Sequence, residues 1–456
     1  MTKKEYEKII GYLRDLIAGT KFEGKVYSVG GCERDKRLKN EIKDLDLVIE
    51  MKDGGSKFAK WLEKKGETVG DVVEYRQFGT AMFKLKLFPD EEIECVQTRK
   101  EKYRIDSRKP ETCFGTVYDD CRRRDFTVNA FYHDISLGKD IDMTGNGEYD
   151  LKHKVIRTCD EPEKTFDDDP LRIMRGIRFA CRLGFKIEPK TLEGMKNGAA
   201  GLGKVSNERI MDEFCQILSG PQMYNGFDLL CSVGVMNQVF PEIAEHQGMI
   251  RHCLSNGQCG DFGIRDRKQK VVCFLALAGK VIDDNKKLEE RLKELKFDNN
   301  TIKETLFLVD ELGTVLKDGW NDNPKLVRKT EFECGTKERF KALMYVMMCC
   351  RRHHTVAWHD GYTDRRTGEW KKGEMWGYKL PVNGHDVMNE LGIGTGKQVR
   401  KELDRLLDMA FEHPDITYEE CIDLLHGLDS VHFPMCVKVV KKCFGWTDKL
   451  FKEKKK

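Results

Sequence analysis

Residues 30–48 read GGCERDKRLKNEIKDLDLV, and this stretch decides the fold. It begins with two glycines after a strand-like run, where bare backbone N–H groups before a helix can bind phosphate. It ends with Asp44 and Asp46, which leave the same side of a strand because they are two residues apart. Two convergent carboxylates form a seat for a hard divalent cation such as Mg²⁺. Glu94, in a later strand-like run, is a candidate third carboxylate.

The hydrophobic pattern around this stretch divides the chain into two parts. Strand-like and helix-like runs alternate up to about residue 150, with strands expected at 25–29, 45–49, 80–87, 92–97 and 130–135. Beyond that point, apolar residues recur at intervals of three and four, which predicts helices almost throughout. The clearest of these helices are expected at 172–183, 206–218, 286–295, 302–316 and 399–411. The pattern therefore predicts an α+β chain, with a small α/β head followed by a long helical remainder.

Composition narrows the setting in which the protein acts. The chain has 456 residues, too many for one compact core, so several domains are expected. Its 80 basic and 77 acidic residues leave a net charge of +3, which by itself identifies no nucleic-acid binder. The 17 cysteines include no CxxC pair, which favours reduced thiols. With no long apolar run and no secretory signal visible, a cytoplasmic protein without a membrane segment is expected.

A cluster of cysteines and histidines is the chain's other metal candidate. Residues 349–354 read CCRRHH, and a helix would place Cys349 with His353, and Cys350 with His354, on shared faces. Zinc can use that spacing. Ordinary residues at a helix end account for the pattern more simply.

Three later motifs accompany the Gly-Gly turn and the paired aspartates. Residues 123–130 read RRDFTVNA, residues 168–179 read DDPLRIMRGIRF, and residues 205–210 read VSNERI. With these motifs in this order, the chain resembles the family that contains CCA-adding enzymes and bacterial poly(A) polymerases, whose head is of the polymerase-β nucleotidyltransferase type. Residues 295–299, 382–387 and 391–397 extend the resemblance, more loosely, to the body and tail of the Gram-positive-type CCA-adding enzymes.

The resemblance implies a domain order and an activity. The expected domains are a catalytic head at 1–150, a helical neck that recognises the nucleotide base at 151–220, a body at 221–345 and a tRNA-binding tail at 346–456. The implied activity is template-independent addition of C, C and A to the 3′ end of tRNA from CTP and ATP. Asp44 and Asp46 would bind two Mg²⁺ ions, with Glu94 as a further catalytic carboxylate, and pyrophosphate would leave. No obligate protein partner is implied.

A larger set of residues is expected to bind the nucleotide: Gly30, Gly31, Arg34, Arg123, Arg124, Asp125, Asn129, Asp168, Asp169, Arg172, Arg175 and Arg178. Asp125 would accept a hydrogen bond from the ribose 2′-hydroxyl. Asp169 would accept from the exocyclic amine that C and A share, and Arg172 would donate to the adjacent ring nitrogen. Such a site rejects U and G, because its own groups would be left unpaired. Local sequence alone favours another role, since Pro170 as first helical residue makes Asp169 a helix N-cap.

The tail offers a candidate site for the phosphates of tRNA. Lys397 and Arg400 follow a glycine-rich turn at an expected helix start, where N–H groups and cations converge. The alternative is a simple helix entry with solvated basic side chains.

Three alternative functions share much of this pattern. A bacterial poly(A) polymerase has every head motif, but residues 391–397 argue against it. A CC-only or A-only enzyme is disfavoured by residues 103–110, which resemble the mobile loop of complete CCA-adders. An inactive RNA-binding protein is disfavoured by the intact Asp44 and Asp46. The chain departs from the family in having Asp168 where Glu is usual, and its residues 349–378 match no family segment.

Overall fold

The fold was analysed in a computed structural model, which describes residues 1–75, 79–102, 111–257, 264–316, 323–350, 361–363, 370–372 and 375–427. The chain divides into two compact units. The first comprises Met1–Arg251 with Glu290–Asp298, and the second comprises His252–Glu289 with Asn299–Lys456. The first unit contains the whole of the expected head and neck. The finer division into four domains stays a prediction.

The head alternates strands and helices, as the sequence pattern indicates. Its helices are α1 (Lys3–Ile17), α2 (Gly31–Leu38), α3 (Gly54–Lys64) and α4 (Val117–Arg122). Its strands are β1 (Val26–Val29), β2 (Leu45–Ile49), β3 (Thr68–Tyr75), β4 (Thr80–Leu85), β5 (Phe88–Gln97), β6 (Arg99–Lys102), β7 (Glu111–Phe114), β8 (Phe131–Asp134) and β9 (Lys139–Asp142).

Seven of these strands form one sheet, in the order β3-β4-β5-β2-β1-β8-β9. Strand β2 is central; it pairs with β1 antiparallel and with β5 parallel. Side chains alternate along β2, so Leu45, Leu47 and Ile49 face a core that α1 and α3 cover. Asp46 and Val48 leave the opposite face, which is therefore where the chemistry of this strand is presented.

Helix α3 packs against the sheet so closely that it requires glycine at its second residue. A Cβ atom on Gly55 would lie 2.4 Å from the carbonyl oxygen of Cys95 and 2.6 Å from that of Gly79. The helix places Phe58 and Leu62 in the core between itself and the sheet. This contact sets the distance between α3 and β5. It therefore helps to position Glu94, which lies on β5.

The rest of the chain is mostly helical. The elements that follow in the first unit are α5 (Gly147–His153), β10 (Val155–Ile156), α6 (Pro162–Asp168), α7 (Leu171–Leu183), β11 (Lys186–Ile187), α8 (Pro189–Gly198), α9 (Asn207–Leu218), α10 (Met223–Val233), α11 (Val235–Val239) and α12 (Pro241–Glu245). Those that follow along the chain are α13 (Gln247–Gly257), α14 (Arg267–Ile282), α15 (Asn285–Glu294), α16 (Asn299–Val315), α17 (Pro324–Cys334), α18 (Lys337–Cys350), β12 (Gly361–Thr363), β13 (Trp370–Lys372), α19 (Gly384–Leu391), α20 (Lys397–Glu412) and α21 (Tyr418–Leu425).

The second unit has its own hydrophobic cores. Residues 271–279 of α14 are all buried, and this helix packs against α16 and α18. Helices α19, α20 and α21 share a separate cluster that includes Val387, Leu406 and Leu424. The side chain of Arg328 on α17 donates from Nε to the carbonyl oxygen of Phe411 at 2.6 Å, which ties α17 to the end of α20.

The predicted fold class is confirmed: a mixed head with a central sheet precedes a mostly helical remainder. Within the described residues, every helix is too short or too polar to serve as a membrane span.

We expect Gly55→Ala to lower the free energy of unfolding by about 1–3 kcal/mol, because the added methyl would overlap two backbone carbonyls that cannot move independently. The matched control is Gly11→Ala in α1, where an added Cβ meets nothing within 4 Å. There the change should be neutral or stabilising by up to about 1 kcal/mol, since alanine is the better helix former. Urea unfolding of both variants measures the difference, and equal midpoints would contradict the close contact.

Candidate active site

The predicted carboxylates come together at the start of β2. Asp46 pairs with Val29 on β1 and with Glu94 on β5. Because β2 and β5 are parallel and in register there, Asp46 and Glu94 leave the same face of the sheet. Asp44 precedes the strand by one residue and lines the same pocket as Asp46. The structure therefore places all three predicted catalytic carboxylates at one end of the sheet.

The ionisation of Asp46 reflects this crowding. Burial raises the pKa of Asp46 to about 6, the carboxylates of Glu94 and Asp44 add to the rise, and Arg124 opposes it. Carboxylates that disfavour one another's charge are relieved by a bound cation. Oxygen donors of this kind suit a hard divalent cation such as Mg²⁺, so these residues fit the metal that the family resemblance implies.

A pocket of about 270 Å³ opens beside the aspartates. The predicted residues that line it are Gly30, Gly31, Arg34, Asp44, Asp46, Arg124, Asp125, Asn129, Arg175 and Arg178. The lining residues that the sequence analysis did not single out are Cys32, Asp35, Lys43, Phe179 and Arg182. Arg182 was detectable, because it continues the three- and four-residue spacing of Arg175 and Arg178 along α7. For Lys43, the only sequence feature that could have indicated a place in the pocket is its position next to Asp44.

The Gly-Gly turn brings the start of α2 to this pocket. Gly30 has φ +82°, a left-handed conformation that side chains rarely adopt. A Cβ atom there would lie 3.5 Å from Nη1 of Arg124 and 3.6 Å from Oδ2 of Asp46. The turn thus leaves backbone N–H groups, a guanidinium and a carboxylate together, an arrangement suited to a phosphate with its metal ion.

Three of the pocket arginines on α2 and α7, namely Arg34, Arg175 and Arg178, each have a carboxylate partner. Arg34 donates to both oxygens of Asp35 at 3.0 and 2.7 Å. Arg175 donates from Nε and Nη2 to Oδ2 of Asp125 at 2.9 and 2.7 Å. Burial disfavours charge on Asp125, but Arg175 outweighs it and the pKa of Asp125 falls below its usual value. These pairs fix the planes of the guanidinium groups before any nucleotide arrives.

Arg178 and Asn129 complete this ring of polar contacts. Arg178 donates from Nε to Glu213 at 2.5 Å and lies 4.5 Å from the ring centre of Phe179. Asn129 accepts from Nη1 of Arg34 at 2.6 Å and donates to Asp125 at 3.2 Å. The predicted role of Asp125 toward a ribose hydroxyl stays a prediction, because both of its oxygens already accept hydrogen bonds.

Five of the predicted catalytic and nucleotide-binding residues do not line the pocket: Glu94, Arg123, Asp168, Asp169 and Arg172. The carboxylate of Asp169 accepts from the backbone N–H of Leu171 at 3.1 Å and from Arg209 at 3.2 Å. Asp169 therefore makes a capping-type contact with the first residue of α7, although Pro170 rather than Asp169 stands at the N-cap position. The base-reading role of Asp169 stays a prediction.

The Arg172 side chain is bound to backbone rather than to Asp169. Its Nη2 donates to the carbonyl oxygen of Arg123 at 2.7 Å, and its Nη1 donates to that of Thr165 at 3.2 Å. Reading a base in the predicted manner would require Arg172 to exchange at least one of these acceptors for the ring nitrogen. Asp168 is the last residue of α6.

Lys397 and Arg400 lie in the second unit, at the start of α20. Both are exposed, and Gly396 before them has φ +138°. Their role toward tRNA stays a prediction. Of the cysteine and histidine cluster, Cys349 and Cys350 end α18, while residues 351–360 lie outside the described residues. Residues 103–110, compared above with a mobile loop, also lie outside them.

One further group of possible metal ligands stands on the head. Ligand atoms of Glu33, His133 and Asp140 lie within 4.8 Å of one another. The ammonium of Lys36 lies 2.6 Å from Glu33 and 3.1 Å from Asp140, and Arg37 contacts both carboxylates as well. Two cations already neutralise these two acids, so the aspartates of β2 are the better candidates for Mg²⁺.

Two family models match the chain, and both fall in the first unit. Residues 26–157 match the poly A polymerase head domain. Residues 184–247 match the "probable RNA and SrmB-binding site of polymerase A". The first match includes Asp44, Asp46, Glu94 and Arg124, and the second includes Arg209.

Curated relatives extend the match along the chain. The CCA-adding enzyme of Pediococcus pentosaceus is 36% identical over 410 residues, which cover 89% of this chain and 93% of that enzyme. The chain belongs to the CCA-adding enzyme family. The mitochondrial CCA tRNA nucleotidyltransferase of Saccharomyces cerevisiae is 34% identical over 231 residues, but the match spans only 41% of that protein. The CCA-adding enzyme of Bacillus subtilis is 29% identical over 69% of this chain and 74% of its own length.

Solved structures of the family share the fold. The Bacillus stearothermophilus CCA-adding enzyme in complex with CTP matches with a TM-score of 0.64 and 21% identity, over 90% of this chain and 95% of its own. The Thermotoga maritima CCA-adding enzyme complexed with tRNA matches with a TM-score of 0.63 and 22% identity, over 92% and 93%.

We expect Asp46→Asn to stabilise the metal-free protein at pH 7.5 by about 1–2 kcal/mol, although this residue is placed in the active site. The folded-state pKa of Asp46 is raised, so its charge destabilises the fold above about pH 6. The parent protein should recover the difference as the pH falls through 6 toward 4. Thermal midpoints of both proteins, in chelator and across this range, measure the effect. A variant that is less stable at pH 7.5 would contradict the crowding of carboxylates.

Proposed function

We propose that this protein adds C, C and A to the 3′ end of tRNA, using CTP and ATP and releasing pyrophosphate. The observation that carries the proposal is the pair of aspartates at the start of β2, Asp44 and Asp46, which line a pocket together with several arginines in a chain of this family. Curated relatives over most of the chain's length are named for this activity.

The residues of the pocket have distinct tasks in nucleotidyl transfer. The RNA 3′-hydroxyl attacks the α-phosphate of the nucleotide, and Asp44 and Asp46 lie where the reacting groups must meet. Bound Mg²⁺ would lower the pKa of the hydroxyl and neutralise charge on the triphosphate. The N–H groups at the start of α2 and the guanidinium of Arg124 face the same space and bind the phosphates.

The base is read by the motif that begins α7. Asp169 and Arg172 carry an acceptor and a donor that match the shared edge of C and A. Each is held by other contacts, Asp169 by Arg209 and Arg172 by the carbonyl of Arg123. Arg172 is thereby held against the head, while Asp169 is held by the start of α7 and by α9, and the base replaces some of these contacts on binding.

The exposed basic residues at the start of α20 bind tRNA phosphates in this proposal. Lys397 and Arg400 are three positions apart on one helix, so both lie on the same face. The soluble cytoplasm is the compartment in which such an enzyme meets uncharged tRNA, and the reduced state of its thiols suits it.

The test is incubation with tRNA that lacks its 3′ CCA, in Mg²⁺ buffer, with each nucleotide alone and with CTP and ATP together. Sequencing of the RNA ends should show CC with CTP alone and CCA with both. Asp44→Ala should give no addition while its thermal midpoint remains near that of the parent. Long A tracts would indicate a poly(A) polymerase, and ends at CC with both nucleotides would indicate a CC-only enzyme. Either result would contradict CCA addition.

Selectivity separates the base-reading role of Asp169 from its capping role. In the proposed function, Asp169→Ala and Arg172→Ala remove one member of the pair and leave the other unpaired. Incorporation of U and G relative to C and A should then rise at least about tenfold, or all incorporation should fail. The relative incorporation of the four nucleotides measures this.

Thr2→Ala is the control for the loss of a helix cap alone, because Thr2 caps α1 and is not among the residues that line the pocket. It should cost about 1 kcal/mol of stability and leave selectivity unchanged. If the Asp169 and Arg172 variants behave in the same way, with lowered midpoints and parental nucleotide preference, the base-reading assignment is wrong.

A further inference from the structure

Asp120 on α4 is a fully buried carboxylate with no assigned role. Its Oδ1 accepts from Nε and Nη2 of Arg123 at 2.9 and 2.6 Å and from the backbone N–H of Arg99 at 3.2 Å. Its Oδ2 accepts from Nε and Nη2 of Arg124 at 3.2 and 3.1 Å. One carboxylate therefore holds two consecutive arginines, one on each oxygen.

Tyr132 on β8 completes the contact with Arg124. Its hydroxyl donates to Oδ2 of Asp120 at 2.8 Å and accepts from Nε of Arg124 at 2.8 Å. The guanidinium carbon of Arg124 lies 5.2 Å from the centre of the Tyr132 ring. The edge of Arg124 that carries Nε and Nη2 is thus bound on the side of α4 and β8.

The remaining nitrogen of Arg124 faces the pocket. Its Nη1 lies 3.5 Å from where a Cβ of Gly30 would stand, beside Oδ2 of Asp46. About a fifth of the side chain, 18%, remains exposed there. Arg123 does not line the pocket, and its guanidinium occupies the other oxygen of Asp120, which leaves Oδ2 to Arg124.

We propose that Asp120 and Tyr132 are positioning residues, which hold Arg124 so that its Nη1 binds the triphosphate of the incoming nucleotide. This inference rests on the proposed function, since it assigns a task within the same pocket. An unrestrained arginine loses side-chain entropy when it binds a phosphate. Because one edge of the guanidinium is already fixed, most of this entropy is lost before the phosphate binds, and the other edge is oriented toward the pocket.

The charges of the cluster also suit this task. Two guanidinium groups share one carboxylate, so the group keeps a net positive charge facing the phosphates. The pKa of Asp120 lies at about 2, because Arg124 and Arg123 outweigh the effect of its burial. Asp120 therefore stays charged at any pH at which the enzyme works.

Binding of inorganic tripolyphosphate with Mg²⁺ isolates this contact, because the probe has neither base nor sugar. We expect Asp120→Asn to weaken its binding, measured by calorimetry, by about tenfold or more, since charge-assisted contacts to Arg124 are lost and its direction is released. Tyr132→Phe removes one hydroxyl and keeps the ring, and should weaken binding about threefold. In turnover, both variants should raise the KM for CTP and ATP alike, with a smaller effect on kcat.

Asp119→Asn is the matched control on the same helix. The carboxylate of Asp119 accepts from Thr116 in the capping box of α4 and lies 3.6 Å from the ammonium of Lys100, whereas the carboxylate of Asp120 binds Arg123 and Arg124. It should lower the thermal midpoint and leave tripolyphosphate binding and KM at parental values. A purely structural role for Asp120 predicts the same for Asp120→Asn.

Three results would overturn the inference. One is parental tripolyphosphate affinity in both Asp120→Asn and Tyr132→Phe. Another is parental affinity in Tyr132→Phe alone, if Asp120→Asn does not fold. The third is a parent protein that does not bind tripolyphosphate. A parent that binds the probe but adds no nucleotide to tRNA would instead contradict the proposed function, and the binding comparison would still decide the role of Asp120.

Discussion

The in-register pairing of β2 with the parallel strand β5 brings Asp46 beside Glu94, and the rest of the head is arranged around that repulsive contact. Folding places two acids side by side at the edge of a core, which costs stability unless a cation compensates. On the opposite face of β2, Leu45, Leu47 and Ile49 are buried beneath α1 and α3, and this apolar burial stabilises the fold. One face of the strand therefore stabilises the head, and the other face carries acids that destabilise it.

The arginines of the pocket are also crowded, and their positive charges repel one another. Arg34, Arg124, Arg175 and Arg178 would repel one another if they stood free around one cavity. Each instead contacts a carboxylate: Asp35, Asp120, Asp125 and Glu213 respectively. These donors are therefore already oriented before a ligand binds. Because Lys43 and Arg182 also line the pocket, its basic side chains outnumber its acidic ones, which suits a triphosphate.

Much of the fold followed from periodicity. The helices expected at 172–183 and 206–218 are α7 and α9, within one residue at each end. The strand expected at 80–87 ends at Leu85, because residues 86 and 87 form the turn of a hairpin whose return strand begins at Phe88. Strands β3, β6 and β7 were not expected, since they are polar or short and their pairing depends on partners elsewhere in the chain.

The site was predictable where a motif carries the chemistry and less so where the chemistry depends on partners. Asp44 and Asp46 were predicted from their spacing, and Glu94 from its place in a later strand-like run. Arg123 was expected at the triphosphate, yet it faces Asp120, and no local pattern distinguishes it from Arg124. Asp120 and Tyr132 were missed because a buried acid and a strand tyrosine have no motif of their own. Their task is visible only when α4 and β8 lie together.

Helix α7 is held against the head at two adjacent residues. Arg175 is bound to Asp125, and a Cβ on Gly176 would lie 2.8 Å from the ring of Phe126 and 2.2 Å from the side chain of Met195. The two walls of the pocket that carry Asp125 and Arg175 therefore cannot separate without breaking an ion pair whose carboxylate is buried. Any widening of the pocket along this wall must therefore also separate Gly176 from Phe126 and Met195, so the ion pair and the close packing would have to give way together.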